Sequence, residues 1–500
     1  MCKRMLIGII VVGLVCVLSN TVVAEEKALV VLQGAEPTRI DPIFERGGVP
    51  TYSIAINIFD ALLFRTAEGD YIPNLAVSYE KPDENTWIFY LRRGVRFHNG
   101  DPFTAHDVAF TIRKILDPAT GSRRLPDLKW IKSVEVIDDY TIKITADPFP
   151  LAELYFSELS IVPSTYYQTV GPDNFSRAPV GTGPFKFKTW TPGYEIVLEK
   201  YSDYHFGPSK LDKITFRFVP SPATRVAALQ AGEADLIVEP PIALLPSLQA
   251  DPNLKVIALP GTRVIFVGFD TLQTSPLQDV RVRQALNYAV DRTAIINKLL
   301  FGYAEPTVAM LGKRDLGFPQ DLSPYPYDPQ KAKALLTAAG YPDGFTITMD
   351  IAPGRYINDL EVAQAVAGYL SDIGVKVEFN ILEFGIMNER LFSHTTSPMY
   401  FIGWGNYPAD AQYVYDFIVR TGGLLRTIND PEIDTLLNEV RTVVDRKTRG
   451  DLLAKIARRV YELAPVLDLY KQPVIYVCSA KITWTPRPDE FLYLYDAQKQ

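Results

Sequence analysis

The forty residues Asn74–Arg113, NLAVSYEKPDENTWIFYLRRGVRFHNGDPFTAHDVAFTIR, decide how the chain is to be read. Thr86–Leu91 (TWIFYL) is rich in branched and aromatic side chains, so it predicts a strand. Arg92-Arg93-Gly94 ends it in a turn. Thr104 then stands as a helix N-cap with Asp107 at the third helical position. Val108, Ile112 and Ile115 recur at helical spacing behind it. One block therefore carries a strand, a loop and an amphipathic helix, the grammar of a mixed α/β chain.

The same grammar extends outward. Ala28–Gln33, Phe185–Trp190, Glu195–Lys200 and Lys213–Val219 predict strands, and Ser133–Asp138 with Thr141–Thr145 predicts a hairpin about Asp138-Asp139-Tyr140. Ser221–Ala231 predicts a helix stopped by Gly232. Beyond Leu277 helices dominate: Val280–Ala289 and Arg292–Leu300, then Asp328–Ala339 ending before Gly340. Thr346–Ile351, Val375–Ile381 and the wholly apolar Met399–Trp404 alternate as strands with the helix Asp359–Ile373. Two long helices, Pro431–Val444 and Lys447–Leu463, precede the strand Val474–Cys478. This strand–helix–strand alternation predicts an α/β domain.

The first 24 residues read as an export signal. Lys3 and Arg4 precede the apolar run Leu6–Leu18, and Val22-Val23-Ala24 leads into Glu25-Glu26. A run of 13 residues is short for a membrane span, so cleavage and a periplasmic product are expected. Removing Lys3 and Arg4 takes the formal charge from −7 to −9, which argues against a nucleic-acid surface. Cys2 and Cys16 would leave with the signal. Cys478 would then be the one thiol, and a lone cysteine in an apolar strand reads as core.

Motifs for catalysis are missing. There is no GxSxG, HExxH or P-loop pattern. His98 and His106 flank a loop without the spacing of a helical metal site. No cofactor and no metal are called for.

The Asn74–Arg113 block resembles the signature of the extracellular solute-binding proteins of ABC importers, family 5, the peptide and nickel class. The resemblance rests on Trp87, Leu91-Arg92, Gly94-Val95, Phe97-His98-Asn99-Gly100, Phe103-Thr104-Ala105 and Asp107-Val108. Pro179–Phe185 (PVGTGPF), Ala228–Leu236, Asp279–Arg292 (DVRVRQALNYAVDR), Tyr327–Phe345 and Gly403-Trp404 follow in family order. It implies an α/β fold of the type II periplasmic binding protein kind, bilobal with an inserted lobe and a ligand cleft at the hinge. The implied first lobe is split over 25–53, 183–270 and 483–500. The insert is 54–182, and the third, α/β lobe is 271–482.

The resemblance further implies a non-enzymatic monomer that captures a small organic solute, an oligopeptide or peptide-like molecule, for an inner-membrane ABC permease. In peptide-binding members an acidic residue three positions after the Gly-Trp pair holds the ligand's ammonium. Here Tyr407 stands there, or Asn406 with one gap, and Asp410 comes later. The departure keeps an oligosaccharide or opine-type ligand open, with a periplasmic hydrolase as a more distant rival. Trp404, Asn406, Tyr407 and Asp410 are the expected contacts on the third lobe. Arg355, in a strand-to-helix loop, suits a ligand carboxylate. Arg263 at the hinge and Tyr52 from the first lobe complete the set.

Overall fold

The computed structural model describes residues 27–45, 47–425 and 427–500. The expected signal segment lies outside the described residues. Among the described residues no helix is long and apolar enough to cross a membrane.

Three sheets organise the chain. A first lobe is built on seven strands in the order Leu254–Leu259, Val474–Ser479, Leu236–Val238, Ala28–Gln33, Lys213–Phe218, Glu195–Lys200 and Phe185–Thr191. A second lobe carries the four-stranded antiparallel sheet Ala76–Asp83, Thr86–Leu91, Thr141–Ala146 and Ile131–Asp138. A third lobe carries six strands in the order Glu305-Pro306, Val466–Lys471, Arg263–Phe269, Met399–Gly405, Phe345–Ile351 and Val375–Ile381. The strands Phe345–Ile351 and Val375–Ile381 are parallel and joined by the helix Asp359–Ser371, as the alternation predicts.

Two strands fall on the other side of the expected boundaries. Arg263–Phe269 pairs with Met399–Gly405 in the third lobe, so the first lobe does not reach 270. Val474–Ser479 pairs with Leu254–Leu259 and Leu236–Val238, so the third lobe ends before 474, not at 482. The expected boundary at 54 also cuts the helix Val49–Ile58. Strand patterning shows that a segment is a strand but not which sheet accepts it.

The chain therefore crosses between the first and third lobes at 260–262 and again at 472–473. The crossings run backbone to backbone: Gln472 N donates to Arg263 O at 2.8 Å. A Cβ on Gly261 would stand 2.2 Å from Gln472 O, so only glycine permits this approach.

The signature block folds as its sequence predicts. Trp87 and Phe89 stack on one sheet face, and Phe156 meets both rings edge-on. The helix Ala105–Leu116 opens with a capping box, in which Asp107 Oδ2 accepts from Thr104 N at 2.9 Å. Ser221, Asp291 and Asp328 cap their helices through backbone N–H groups three residues on. The helix expected to run to Val444 stops at Val440. Cys478 is fully buried in its strand, and burial pushes its thiol up to about 11.

His98 ties the signature loop to Gly181–Gly183. Its Nδ1 accepts from Gly181 N at 3.3 Å, which places the proton on Nε2, 2.9 Å from Gly183 O. Burial lowers this imidazole to about 4, so it stays neutral. Cβ atoms on Gly181 and Gly183 would fall 2.1 and 2.8 Å from Ile58 O. These glycines serve a flat approach to the end of the helix Val49–Ile58, which explains Gly-Thr-Gly without a phosphate.

Candidate functional site

The strand Met399–Gly405 is apolar and buried, and it delivers Trp404 to the hinge. The ladder continues one step past it, with Asn406 N donating to Thr262 O at 3.0 Å. Trp404 and Asn406 are two residues apart, so they share one face of this extended segment. The Trp404 indole lies 5.1 Å from the Phe417 ring, and its buried Nε1 has no hydrogen-bond partner among the described residues. Asn406 is 0% exposed; its Oδ1 accepts from Asp410 N at 3.1 Å while its Nδ2 has no hydrogen-bond partner among the described residues. A buried donor is stabilised by any acceptor brought to it, so these two groups are suited to meet a solute's oxygen atoms.

Asp410 is differently employed. It caps the helix Ala411–Ile418 through Gln412 N at 2.9 Å. Its carboxylate also forms a two-pronged pair with Arg449, both groups buried, with Arg449 Nη2 to Asp410 Oδ1 at 3.1 Å. Arg449 gives Gln412 Oε1 a further bond at 2.6 Å. Asp410 thus fixes the loop that carries Asn406.

Aromatic rings bridge the lobes. Trp404 meets Phe417, Phe417 meets Tyr413, and Tyr413 meets Tyr407. Tyr407 lies 5.1 Å from Phe491 of the C-terminal segment, which packs edge-on against Tyr52 at 4.6 Å. Arg65 fastens the same seam: Nη1 reaches Asp489 at 3.0 Å and Nη2 donates to Tyr407 O.

Charges face each other beside the rings. Arg355 lies in the turn after Phe345–Ile351, a turn organised by Asp359 accepting from the backbone N–H groups of Gly354, Arg355 and Tyr356 at 2.9–3.0 Å. Its guanidinium lies 5.1 Å from the Tyr356 ring and 3.4 Å from Glu239 Oε1 of the first lobe. Arg263 pairs with Glu490 through two bonds of 2.8 and 2.7 Å. Burial alone would lower the Arg263 guanidinium, but Glu490 reverses this and holds it well above its ordinary value. Burial raises the Glu239 carboxyl, with Arg355 opposing.

The structure thus brings Trp404, Asn406, Tyr407, Arg355, Arg263 and Tyr52 to one seam between the first and third lobes. It adds Glu239, Glu490, Thr262 and Arg65, which sequence reasoning missed. Glu239 and Glu490 lie in segments with no periodicity to mark them, and their partners are distant in sequence. A cavity of about 50 Å³ lies nearby, lined by Tyr52, Phe64, Arg65, Glu158, Arg487 and Phe491. It has room for waters, whereas pockets for organic ligands run to several hundred Å³.

Two lobes joined by paired crossings, with aromatic and charged groups meeting between them, define a binding protein that closes on a small solute. Residues 70–424 match the bacterial extracellular solute-binding proteins, family 5. The chain belongs to this family. It is 32% identical over 436 residues to heme-binding protein A of Haemophilus influenzae, covering 80% of this chain and 79% of the relative. It is 28% identical over 489 residues to the glutathione-binding protein GsiB of Pectobacterium atrosepticum, covering 94% of each. A solved structure of the ABC transporter-associated periplasmic binding protein DppA of Helicobacter pylori, in complex with the peptide STSA, superposes with a TM-score of 0.85 at 27% identity. It covers 94% of this chain and 98% of that one. The chain is accordingly a non-enzymatic, extracytoplasmic solute-binding component of an ABC importer, with the type II binding-protein fold.

Proposed function

We propose that the protein captures an oligopeptide or peptide-like solute in the periplasm, as a monomer, and delivers it to an inner-membrane permease. The first and third lobes close on the solute about the crossings at 260–262 and 472–473. The observation that carries this reading is the pair of arginines, Arg263 and Arg355, held by the third lobe against the first beside a row of aromatic rings. Such a wall suits a flexible solute with a carboxylate and apolar parts. Relatives that bind glutathione and a tetrapeptide support it.

In this reading Trp404 offers an aromatic face, and Asn406 with Trp404 Nε1 donates to ligand acceptors. Tyr407 and Tyr52 close over the solute, and Arg355 and Arg263 take carboxylates. Asp410 positions the loop and does not touch the ligand. Calorimetry with glutathione and with Ser-Thr-Ser-Ala tests the reading, together with mass spectrometry of the co-purified solute. Trp404→Ala should weaken binding by about 2 kcal/mol, near thirtyfold. Wild-type affinity in that variant, or a co-purified oligosaccharide or opine, would replace the peptide reading.

A further inference from the structure

Glu239 and Glu490 share three properties. Each belongs to the first-lobe side of the seam, and each pairs with a third-lobe arginine. Each also has a left-handed backbone, with φ of 49° and 69°. Glutamate rarely adopts that conformation, so the surroundings must impose it. At Glu239 the buried Arg225 imposes it, with Nη2 donating to Glu239 O at 2.9 Å and Nε to Val238 O at 3.1 Å. At Glu490 the preceding Arg487–Asp489 pair fixes the turn, and Asp489 Oδ1 accepts from Phe491 N.

The four charges lie where a charged ligand would compete with them. A carboxylate that takes Arg263, whose Nε and Nη2 both bond Glu490, or Arg355, which meets Glu239 through Nη1, competes with the glutamate for the same positive charge. A purely anionic ligand would crowd a further negative charge against Glu490, 10% exposed, and the half-buried Glu239, which is unfavourable. A zwitterion restores every pair: its carboxylate takes an arginine and its ammonium takes the released glutamate. The third lobe has Tyr407 and not a carboxylate at the position three after Trp404, and the loop there presents Asn406 Nδ2, a buried donor with no hydrogen-bond partner among the described residues.

We propose that Glu239 and Glu490 recognise the ligand's ammonium from the first lobe, opposite the arginines that take its carboxylate. This rests on the peptide reading above. It makes the protein selective for zwitterions with a free amine, and it makes the Glu–Arg pairs a latch that the ligand replaces charge for charge.

The test is calorimetry with Ser-Thr-Ser-Ala and with its N-acetylated form, on wild type, Glu239→Gln and Glu490→Gln. Thermal melts confirm that each variant is folded. Acetylation should weaken wild-type binding about tenfold or more, the cost of a lost charged hydrogen bond. In at least one glutamine variant the free peptide should weaken by a similar factor, with the acetylated peptide unchanged or tighter. That variant identifies the carboxylate in contact. The wild-type comparison needs no mutation, so a misfolded variant does not decide the matter. If wild type binds both peptides equally, or both variants keep the wild-type preference, the inference is overturned and the peptide reading stands. If neither peptide binds wild type, the peptide reading falls and this inference with it.

Discussion

Replacing Asp410 should cost stability before it costs affinity. Its carboxylate is the buried counter-charge of Arg449, which is itself 3% exposed. Removing one member of such a pair leaves an uncompensated buried charge, at about 3–5 kcal/mol. Asp410→Ala also loses the cap at Gln412 N, worth about 1 kcal/mol. Arg449 keeps its bond to Gln412 Oε1, which favours the lower end, so the expected loss is about 4 kcal/mol. Arg449→Met should lose a similar amount, and Asp410→Ala with Arg449→Met much less than the sum. A coupling of about 2 kcal/mol or more is expected. Guanidinium unfolding followed by circular dichroism at 25 °C measures all four corners of the cycle. A coupling below about 0.5 kcal/mol, the range of an exposed pair, would refute the argument. So would an Asp410→Ala protein of wild-type stability that fails to bind peptide, since Asp410 would then be a ligand contact.

His98 should make the protein acid-sensitive. Its folded value of about 4 lies below the ordinary 6.5, so the unfolded chain takes up the proton first. The stability it contributes is present above pH 6.5 and lost as pH falls toward 4. The loss is about 3 kcal/mol, read as a steeper wild-type pH slope than that of His98→Gln; parallel slopes would refute it. Gly183→Ala should cost about 2 kcal/mol or more, because its Cβ would sit 2.7 Å from the backbone carbon of Ile58, which cannot yield. By contrast, Gly368→Ala meets nothing within 4 Å and lies inside the helix Asp359–Ser371, so it should raise the melting temperature.

Local features of this protein were legible in the sequence because they depend on near neighbours. The strand Thr86–Leu91 and the capping box of Thr104 and Asp107 are encoded within a few residues. The ordered blocks from Asn74 to Trp404 marked the family for the same reason. Tertiary structure alone decided which sheet receives each strand. Val474–Ser479 looks like any apolar strand, yet it returns to the first lobe because Leu254–Leu259 and Leu236–Val238 offer it open edges. It also decided what the charged residues do. Asp410 resembles a ligand contact beside Trp404 until Arg449, from a different helix, is seen to neutralise it. Glu239 and Glu490 acquire a meaning only when Arg355 and Arg263 are set against them across the seam. A charge's role is fixed by its partner, and these partners are brought together by folding and lobe closure, not by proximity along the chain.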